Sequence, residues 1–520
     1  MNNPQPHPSL SRIGKVFSAI ALLATIAAFA TTIFAILNQR DTLLQIISFS
    51  LGFVSLVVAI IEVFPGAIGF TQQILRDTIF HILMVIIVII ALCLIPLGFI
   101  VLQEPTIKIG VTLPFTTEDR KDAIPMLNGI KLAVNEETGG SERIGKYTLQ
   151  LVPVDDAAMD FYKIQPVWEG NGNPKGNIAD FTTITGDAQI AGIIGPFNSG
   201  VAIHEIPPTN KASIALISPA TTADCLTTLT NFKKDNFEDC EFSGLDKNAE
   251  KTFFRLPSPD SIRAEMLAGY FWQTKVGKGE ERTGKDAVIF DDRSFFGRTF
   301  ANRLQEAWES KMHKKVPIID LTNNPQDDLK KLDFKPDVIL FAGTGSKAIA
   351  LYYAMKTTGY SDTTFASSSS IMRGGLADSS AKGDIYAVSP YGYFDESQQY
   401  GQFSSRYKTT YSDELTPYSA GAYDATMILL KSIKEALKFK NPPVASWDIL
   451  FQADQFRTEV IRAIKRLNIG NFQFTGATGT YHFDPNGDAI GGNNEKEATI
   501  YMHTRGSNNL WEHVPYTPEQ

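Results

Sequence analysis

Ser199 stands in a loop whose place in the chain suits it to binding an anion. The loop, GPFNSG at 195–200, follows the apolar run IAGIIG (190–195), which predicts a strand, and precedes a predicted helix. The first turn of a helix has backbone N–H groups without partners and a positive dipole end. A carboxylate can be held there, and the serine hydroxyl adds one donor. The residue could instead act only as the N-cap of that helix, worth about 1 kcal/mol, and the two roles are compatible.

Three further loops place polar residues directly after apolar runs. They are SPATT (218–222), DDRSFFG (291–297) and AGTGS (342–346). Ligands of open parallel sheets bind at the carboxyl ends of the strands. If the preceding runs are parallel strands, we expect the four loops to line one crevice with hydroxyls and backbone amides.

The sequence contains no motif for phosphate, metal or nucleophile chemistry. GTGSK at 343–347 is too short for a P-loop, and His204 and Glu205 are not followed by the second histidine of a zinc-binding helix. The segment DPNGD (484–488) is too short for a calcium loop and predicts a turn. We therefore expect no metal, no cofactor and no enzyme activity. Because catalytic triads need not be local in sequence, a hydrolase on the same scaffold stays an alternative.

The elements that must position these loops alternate between strand and helix from residue 106 onward. The predicted strands are 107–113, 147–154, 190–195, 212–218, 286–292, 316–321, 337–343 and 384–390. The predicted helices are 126–136, 261–274, 300–311, 346–357 and 420–436. Most strands are continuous apolar runs, as expected where helices cover both faces of a parallel sheet. Since roughly 400 residues exceed one ordinary sheet, we predict two doubly wound lobes.

The first 104 residues differ in composition from the rest. Three apolar runs, at 16–37, 43–63 and 79–102, are each long enough to cross a bilayer as a helix. A cleaved signal peptide is disfavoured because the first run is too long and two more follow it. A lipid anchor at Cys93 is disfavoured because the large Leu92 precedes it. Basic residues in the N-terminal tail favour an inside N-terminus and, after three spans, an outside C-terminal part.

Charge and cysteine content indicate which kinds of partner and which redox compartment suit the chain. The net charge of −8 lies entirely after residue 104, and such an acidic surface disfavours nucleic acid. Three cysteines are too few for a disulfide scaffold. Cys225 and Cys240 flank a polar loop, and a bridge between them in an oxidising space would contribute about 3 kcal/mol. Two unpaired thiols are the alternative.

Several short segments, in their order and spacing, resemble one family. They are IGVTLPF, NGIKLAVNE (128–136), IIGPFNSG (193–200), ISPATT (217–222), FFRLPSPD (253–260), AYDA (422–425) and FTGATG with FDPNGD (474–488). Over most of its length after residue 105, the chain is similar to the type I periplasmic binding proteins, in the leucine/isoleucine/valine-binding branch of ABC-transporter substrate-binding proteins. The resemblance implies two doubly wound parallel-sheet lobes, with hinge segments near residues 257, 390 and 473. Three N-terminal spans are not part of the family's usual pattern.

The resemblance also implies individual ligand contacts. The family serine that matches Ser199 binds the α-carboxylate of the ligand, while Thr222 and the backbone of Ala220 match the second ligand loop. Phe296 lies where the family often has an aromatic residue that packs on the ligand from the second lobe, and Thr344 lies at another contact position. A core position for the phenylalanine is the alternative.

One departure from the family pattern bears on the ligand. Members that bind branched-chain amino acids usually have an acidic residue where this chain has FASSSSI (365–371), and the match falls near Ser369. An ammonium group in a partly dry cleft needs a carboxylate partner. Asp122, near another first-lobe contact position, could supply it or could be a solvated loop charge. The ligand class, whether amino acid, amide or small organic acid, stays open.

These inferences combine into one expected organisation. Residues 1–104 form a membrane anchor, 105–256 with 391–473 form the first lobe, and 257–390 with 474–520 form the second. We expect a multi-pass cell-membrane protein whose extracytoplasmic part captures a small polar solute by lobe closure and delivers it to an ABC permease. The alternative is a sensing subunit that relays closure to a membrane signalling partner.

Overall fold

The structure is a computed structural model of the chain. It describes residues 106–117, 119–156, 177–228, 251–275, 280–372, 384–392, 397–412, 414–440, 449–469, 472–490, 498–503 and 511–516. No helix within these ranges combines the length and apolar character that crossing a membrane requires. The three predicted spans, at 16–37, 43–63 and 79–102, lie outside the described residues.

Strands and helices alternate through most of the described chain. The strands are β1 (Thr106–Leu113), β2 (Arg143–Ile144), β3 (Tyr147–Asp155), β4 (Ile190–Ile194), β5 (Ala215–Ser218), β6 (Phe253–Arg255), β7 (Ala287–Asp291), β8 (Ile318–Asp320), β9 (Val338–Ala342), β10 (Thr364–Ser368), β11 (Ile385–Ser389), β12 (His482–Phe483), β13 (Ala489–Ile490), β14 (Thr499–His503) and β15 (Trp511–Val514). The helices are α1 (Arg120–Thr138), α2 (Asn177–Gly186), α3 (Ser199–Lys211), α4 (Asp260–Gln273), α5 (Phe295–Met312), α6 (Pro325–Lys330), α7 (Gly345–Thr357), α8 (Gln398–Thr410), α9 (Pro417–Ala436) and α10 (Ile449–Lys465).

The first lobe is built on a six-stranded sheet with the order β2-β3-β1-β4-β5-β6. All neighbouring strands are parallel except β2 and β3. In β5, Ala215 and Ile217 join a core cluster with α1, α9 and α10, while Leu216 joins a cluster with α2 and α3. Helices therefore cover both faces, which explains why β4 and β5 are uninterrupted apolar runs.

Local sequence signals define where the first-lobe helices begin and end. Helix α9 starts with a capping box, in which Thr416 Oγ1 accepts from the Ser419 N–H at 3.1 Å and Ser419 Oγ accepts from the Thr416 N–H at 3.0 Å. Pro417 occupies the first helical position, where no N–H is needed. Helix α1 ends at Gly139, whose φ of 60° is left-handed.

The second lobe is built on a seven-stranded sheet with the order β15-β14-β11-β10-β9-β7-β8. Five neighbouring strands of this sheet, β8, β7, β9, β10 and β11, are parallel. At one edge, β14 pairs antiparallel with β11, and β15 pairs antiparallel with β14. Helices α4 and α5 pack on one face, and α6 and α7 pack on the other. The two-lobe α/β architecture with mainly parallel sheets is therefore confirmed.

The chain passes between the lobes at two places close to those predicted. Residues 256–259 connect β6 to α4, and the chain returns after β11 near Pro390. The N–H of Ser258 donates to the Pro390 carbonyl at 2.7 Å, so the two connections lie side by side.

The third crossing lies further along the chain than predicted. The sequence predicts that 474–520 belong to the second lobe, but Phe474, Tyr481 and Phe483 lie in the core of the first, whereas Ala498 lies in the core of the second. Asp424 on α9 binds the segment through the N–H groups of Ala477 and Thr478, at 2.6 and 2.7 Å. The crossing therefore falls after residue 490, because buried hydrogen bonds keep 474–490 on the first lobe.

Cys225 lies in a short 3-10 turn after β5 and is 2% exposed in the core of the first lobe. It is disulfide-bonded. Cys240 lies outside the described residues, so the pairing of the two stays a prediction.

Candidate functional site

A cleft lies where the carboxyl ends of strands from both sheets face each other. The space free of protein atoms within it, including open solvent at its mouth, is about 450 Å³. The first lobe contributes Asp119, Phe197, Asn198, Ser199, Ala220, Thr222 and Tyr418 to its lining, and the second lobe contributes Arg263, Phe296, Gly343, Thr344, Ser368 and Ser370. Hydroxyls, one guanidinium and one carboxylate thus meet aromatic rings around one space.

The structure brings five of the seven proposed contact residues to this lining. These five are Ser199, Ala220, Thr222, Phe296 and Thr344. Ser369 and Asp122 lie outside it. Ligand contact itself remains a prediction for all seven.

Two first-lobe loops of the cleft are tied together by their own side chains. Gly195, with a φ of 133°, lets the loop after β4 approach β1, because a Cβ there would overlap the backbone oxygen of Thr112. Ser218 Oγ donates to the Pro196 carbonyl at 2.8 Å and accepts from the Ala220 N–H at 3.2 Å. The Ala220 N–H is thus already engaged in this conformation.

Ser199 is the first residue of α3, and Asn198 takes the N-cap position without a capping bond from its side chain. Ser199 Oγ accepts from the N–H groups of Thr222 and Ala223 at 3.2 and 3.3 Å. Its hydrogen can still be donated. No hydrogen bond from the N–H of Ser199 or Gly200 occurs among the described residues. The start of α3 therefore has donors for an anion, as the sequence suggested.

Thr222 belongs to a buried polar network that joins the lobes. Its Oγ1 accepts from Arg263 Nη2 at 2.8 Å, and its carbonyl accepts from the Asp260 N–H at 2.8 Å. Arg263 Nη2 also donates to Asp260 Oδ1. Burial raises the pKa of Asp260, while the adjacent Arg263 opposes that rise. Thr222 therefore meets the second lobe directly.

Arg263 is the main lining residue that sequence reasoning missed. It lies on the first turn of α4 and is 1% exposed. Its guanidinium lies over the rings of Phe296 and Phe300, at 5.4 and 4.4 Å from their centroids. The available signal was an arginine one turn into a helix that directly follows a lobe crossing.

On the second-lobe wall, Asp292 organises the loops that carry two predicted contacts. Its Oδ2 accepts from the Thr344 N–H at 2.8 Å, and its Oδ1 accepts from Ser294 Oγ at 2.6 Å. Ser294 in turn caps α5 by accepting from the Gly297 N–H at 2.9 Å. These bonds place the starts of α5 and α7 side by side at the cleft.

The two remaining predicted contacts are displaced by short distances along the chain. Ser369 Oγ bonds to the hydroxyl of Tyr418 at 3.1 Å and lies behind the lining. Asp122 is buried within α1, whereas Asp119, just before the helix, lines the cleft and accepts from Asn198 Nδ2 at 3.1 Å. A helix rises about 1.5 Å per residue, so three residues move a side chain well away from the cleft.

Two further contacts hold the lobes together beside the cleft. Arg303 on α5 pairs with Asp224 of the first lobe at 3.2 Å, and both side chains are largely buried. Phe295, the first residue of α5, lies in a core cluster whose other members belong to the first lobe. The arrangement described is therefore one in which the lobes are in contact.

The lining of the cleft carries one charged side chain from each lobe. In the described ranges, no group of three or more His, Cys, Asp or Glu side chains could hold a metal ion. The charged lining groups are Asp119 from the first lobe and Arg263 from the second. Each lobe offers hydroxyl groups and one charged side chain to a solute in the cleft. A solute that carries polar and charged groups can therefore contact both lobes.

Comparison with known proteins places the chain in a family. A family model described as "Periplasmic binding protein" matches residues 106–485, most of the chain. No curated protein sequence matches it.

Solved structures share the fold at low sequence identity. The ABC transporter substrate-binding protein from Desulfitobacterium hafniense, in complex with Leu, is 20% identical, with a TM-score of 0.56 over 79% of this chain and 100% of the other. The branched-chain amino acid transporter substrate binding protein LivJ from Streptococcus pneumoniae, in complex with isoleucine, is 18% identical, with a TM-score of 0.55 over 79% and 99%. A solute binding protein of an ABC transporter from Rhodopseudomonas palustris, in complex with 3,4-dihydroxybenzoic acid, is 14% identical, with a TM-score of 0.53 over 77% and 93%. On the strength of the family match, with the shared two-lobe fold beside it, this chain belongs to the periplasmic binding protein family.

Proposed function

We propose that this chain is a membrane-anchored, extracytoplasmic solute-binding protein that captures a small polar solute by lobe closure and delivers it to an ABC importer. The observation that carries the proposal is the cleft between the lobes, where the start of α3, Ser199 and second-lobe polar groups line one space. The similar solved proteins hold leucine, isoleucine or an aromatic acid. The protein takes its ligand from that range and does no chemistry on it.

The anchor rests on the three apolar runs before residue 104, and the outside location is supported by the disulfide at Cys225. Alkaline carbonate should leave the full-length protein in the membrane fraction, and external protease should digest its C-terminal part in intact spheroplasts. Release of the protein by carbonate would contradict the membrane anchor. Protection of the C-terminal part from protease would contradict its predicted location outside the cell membrane.

A ligand screen tests the binding function itself. The full-length protein in mild detergent is heated with amino acids, their amides and small organic acids. A ligand at 100 times its dissociation constant should add about 2.7 kcal/mol to the free energy of unfolding. If no compound in these classes raises the melting temperature, the solute-binding proposal loses its support.

We expect the Ser199→Ala variant to bind a ligand from this screen roughly 2- to 12-fold more weakly, because one hydrogen-bond donor is lost from the start of α3. Isothermal titration measures the change. Ser405→Ala, at an exposed position of α8, is the matched control and should bind like the wild type. Equal affinity for the Ser199 variant and the wild type would place the ligand elsewhere.

A further inference from the structure

The guanidinium of Arg263 has donors that the protein itself does not use. Arginine has five N–H donors, and here Nη2 bonds to Asp260 and Thr222. Nε is sealed from solvent and has no hydrogen-bond partner, and no bond from Nη1 occurs among the described residues. Unmatched donors on a buried cation are unfavourable unless an acceptor arrives. Arg263 lines the cleft, and its Nη1 is not among the atoms sealed from solvent, so a ligand can bring that acceptor to Nη1.

The position of Arg263 relative to the first lobe makes one shared anion subsite. Its Nη2 is 2.8 Å from Thr222 Oγ1, and the Thr222 N–H donates to Ser199 Oγ at 3.2 Å. Thr222 therefore contacts both the guanidinium of Arg263 and Ser199, the first residue of α3. The rings of Phe296 and Phe300 hold its plane in place. A carboxylate at α3 would be within the same small region as an oriented second-lobe cation.

We propose that Arg263 is a specificity-determining residue that bonds the ligand's anionic group from the second lobe, so that the ligand must carry a carboxylate. This inference rests on the proposed solute-binding function. Both lobes then hold the same charged group, which couples its recognition to closure. The ligand class is small organic carboxylates, with amino acids as one subset.

A purely structural role for Arg263, joining α4 to Thr222, is the competing explanation. It predicts that substitution changes stability but does not change the preference between an acid and its amide. The proposal predicts that the preference itself changes, because only the acid offers the guanidinium a charged acceptor. Acid and amide pairs of equal shape therefore separate the two explanations.

The test uses full-length protein and three matched probe pairs: leucine with leucinamide, benzoate with benzamide, and succinate with succinamide. We expect wild-type protein to bind the acid of at least one pair and not its amide. Arg263→Gln should weaken the binding of that acid by roughly 10- to 100-fold. The acid affinity of Arg263→Lys should lie between those of the wild type and Arg263→Gln, since lysine keeps the charge without the planar guanidinium. Arg462→Gln, at an exposed position of α10, should match the wild type.

The outcomes separate this inference from the function on which it rests. Wild-type protein that binds acid and amide equally, or an Arg263→Gln variant with unchanged acid affinity, overturns the inference and leaves solute binding intact. Absence of binding by every probe to folded wild-type protein overturns the inference, and the wider ligand screen then decides whether solute binding fails as well. If Arg263→Gln does not fold, Arg263→Lys decides: unchanged acid affinity and selectivity would contradict a role for the planar guanidinium.

Discussion

The Arg255→Met variant is expected to unfold with a free energy about 3–5 kcal/mol below that of the wild type. Arg255, at the end of β6, is 0% exposed and donates to Asp488 Oδ1 at 2.5 Å, to the Ala223 carbonyl at 2.6 Å and to Thr227 Oγ1 at 2.8 Å. Methionine fills a similar volume but leaves a carboxylate and two acceptors without their donor. Chemical denaturation of the full-length protein in detergent measures the loss.

A double variant tests whether the loss comes from the stranded carboxylate. Arg255→Met combined with Asp488→Asn should recover part of the stability, because no unpaired charge then remains. Lys330→Met is the control: its partner Asp327 lies at the surface, and the change should stay within about 0.5 kcal/mol. A loss below about 1 kcal/mol for Arg255→Met would show that the network contributes little.

The stability of the protein is expected to fall as pH rises from about 4 to about 7, with Asp424 as a main contributor. Burial raises the pKa of Asp424 to about 7, although bonds from Thr478 and Ala477 oppose the rise. Since this folded-state pKa exceeds the value of about 4 in an unfolded chain, the folded protein binds more protons between these pH values. The stabilising contribution is complete below about pH 4 and is lost through about pH 7. A shift of this size corresponds to about 4 kcal/mol.

Asp424→Asn should remove that part of the pH dependence. Glu205 and Asp260 also have raised pKa values, so the wild-type curve contains other contributions, and the difference between the two proteins isolates Asp424. Denaturation curves measured from pH 4 to pH 8 give the slope for each protein. Asp333→Asn, at an exposed position, should keep the wild-type slope. Identical slopes for the Asp424 variant and the wild type would contradict the assignment.

Strands with continuous apolar sequence could be predicted well, and the short or polar ones could not. The predicted runs at 190–195 and 337–343 contain β4 and β9, because strands covered on both faces must be apolar. Strand β10 has the sequence TFASS, and its serines are buried although they are polar, so hydropathy alone does not reveal it. The third lobe crossing was misplaced because hydrogen bonds to Asp424, which link residues 53 and 54 positions apart, hold 474–490 on the first lobe.

The candidate site could be predicted only where a loop directly follows a strand. Ser199 and Thr222 come after β4 and β5, so the parallel topology alone places them at the same sheet edge. Arg263 and Asp119 reach the cleft from the beginnings of helices, and their orientation depends on how those helices pack. No pattern in one sequence specifies that packing, and for this reason the sequence does not predict either of the two charged side chains that line the cleft.

Phe295 also affects the protein when no solute is bound. Its ring sits among first-lobe side chains although its backbone belongs to the second lobe. Separating the lobes exposes this ring to water, which costs about 1.5–3 kcal/mol of burial free energy. Taken alone, that contribution would favour the form with the lobes in contact by roughly 10- to 100-fold in the protein without solute. Under the proposed function, closed copies without ligand would then compete with ligand-bound copies for the ABC importer when solute is scarce.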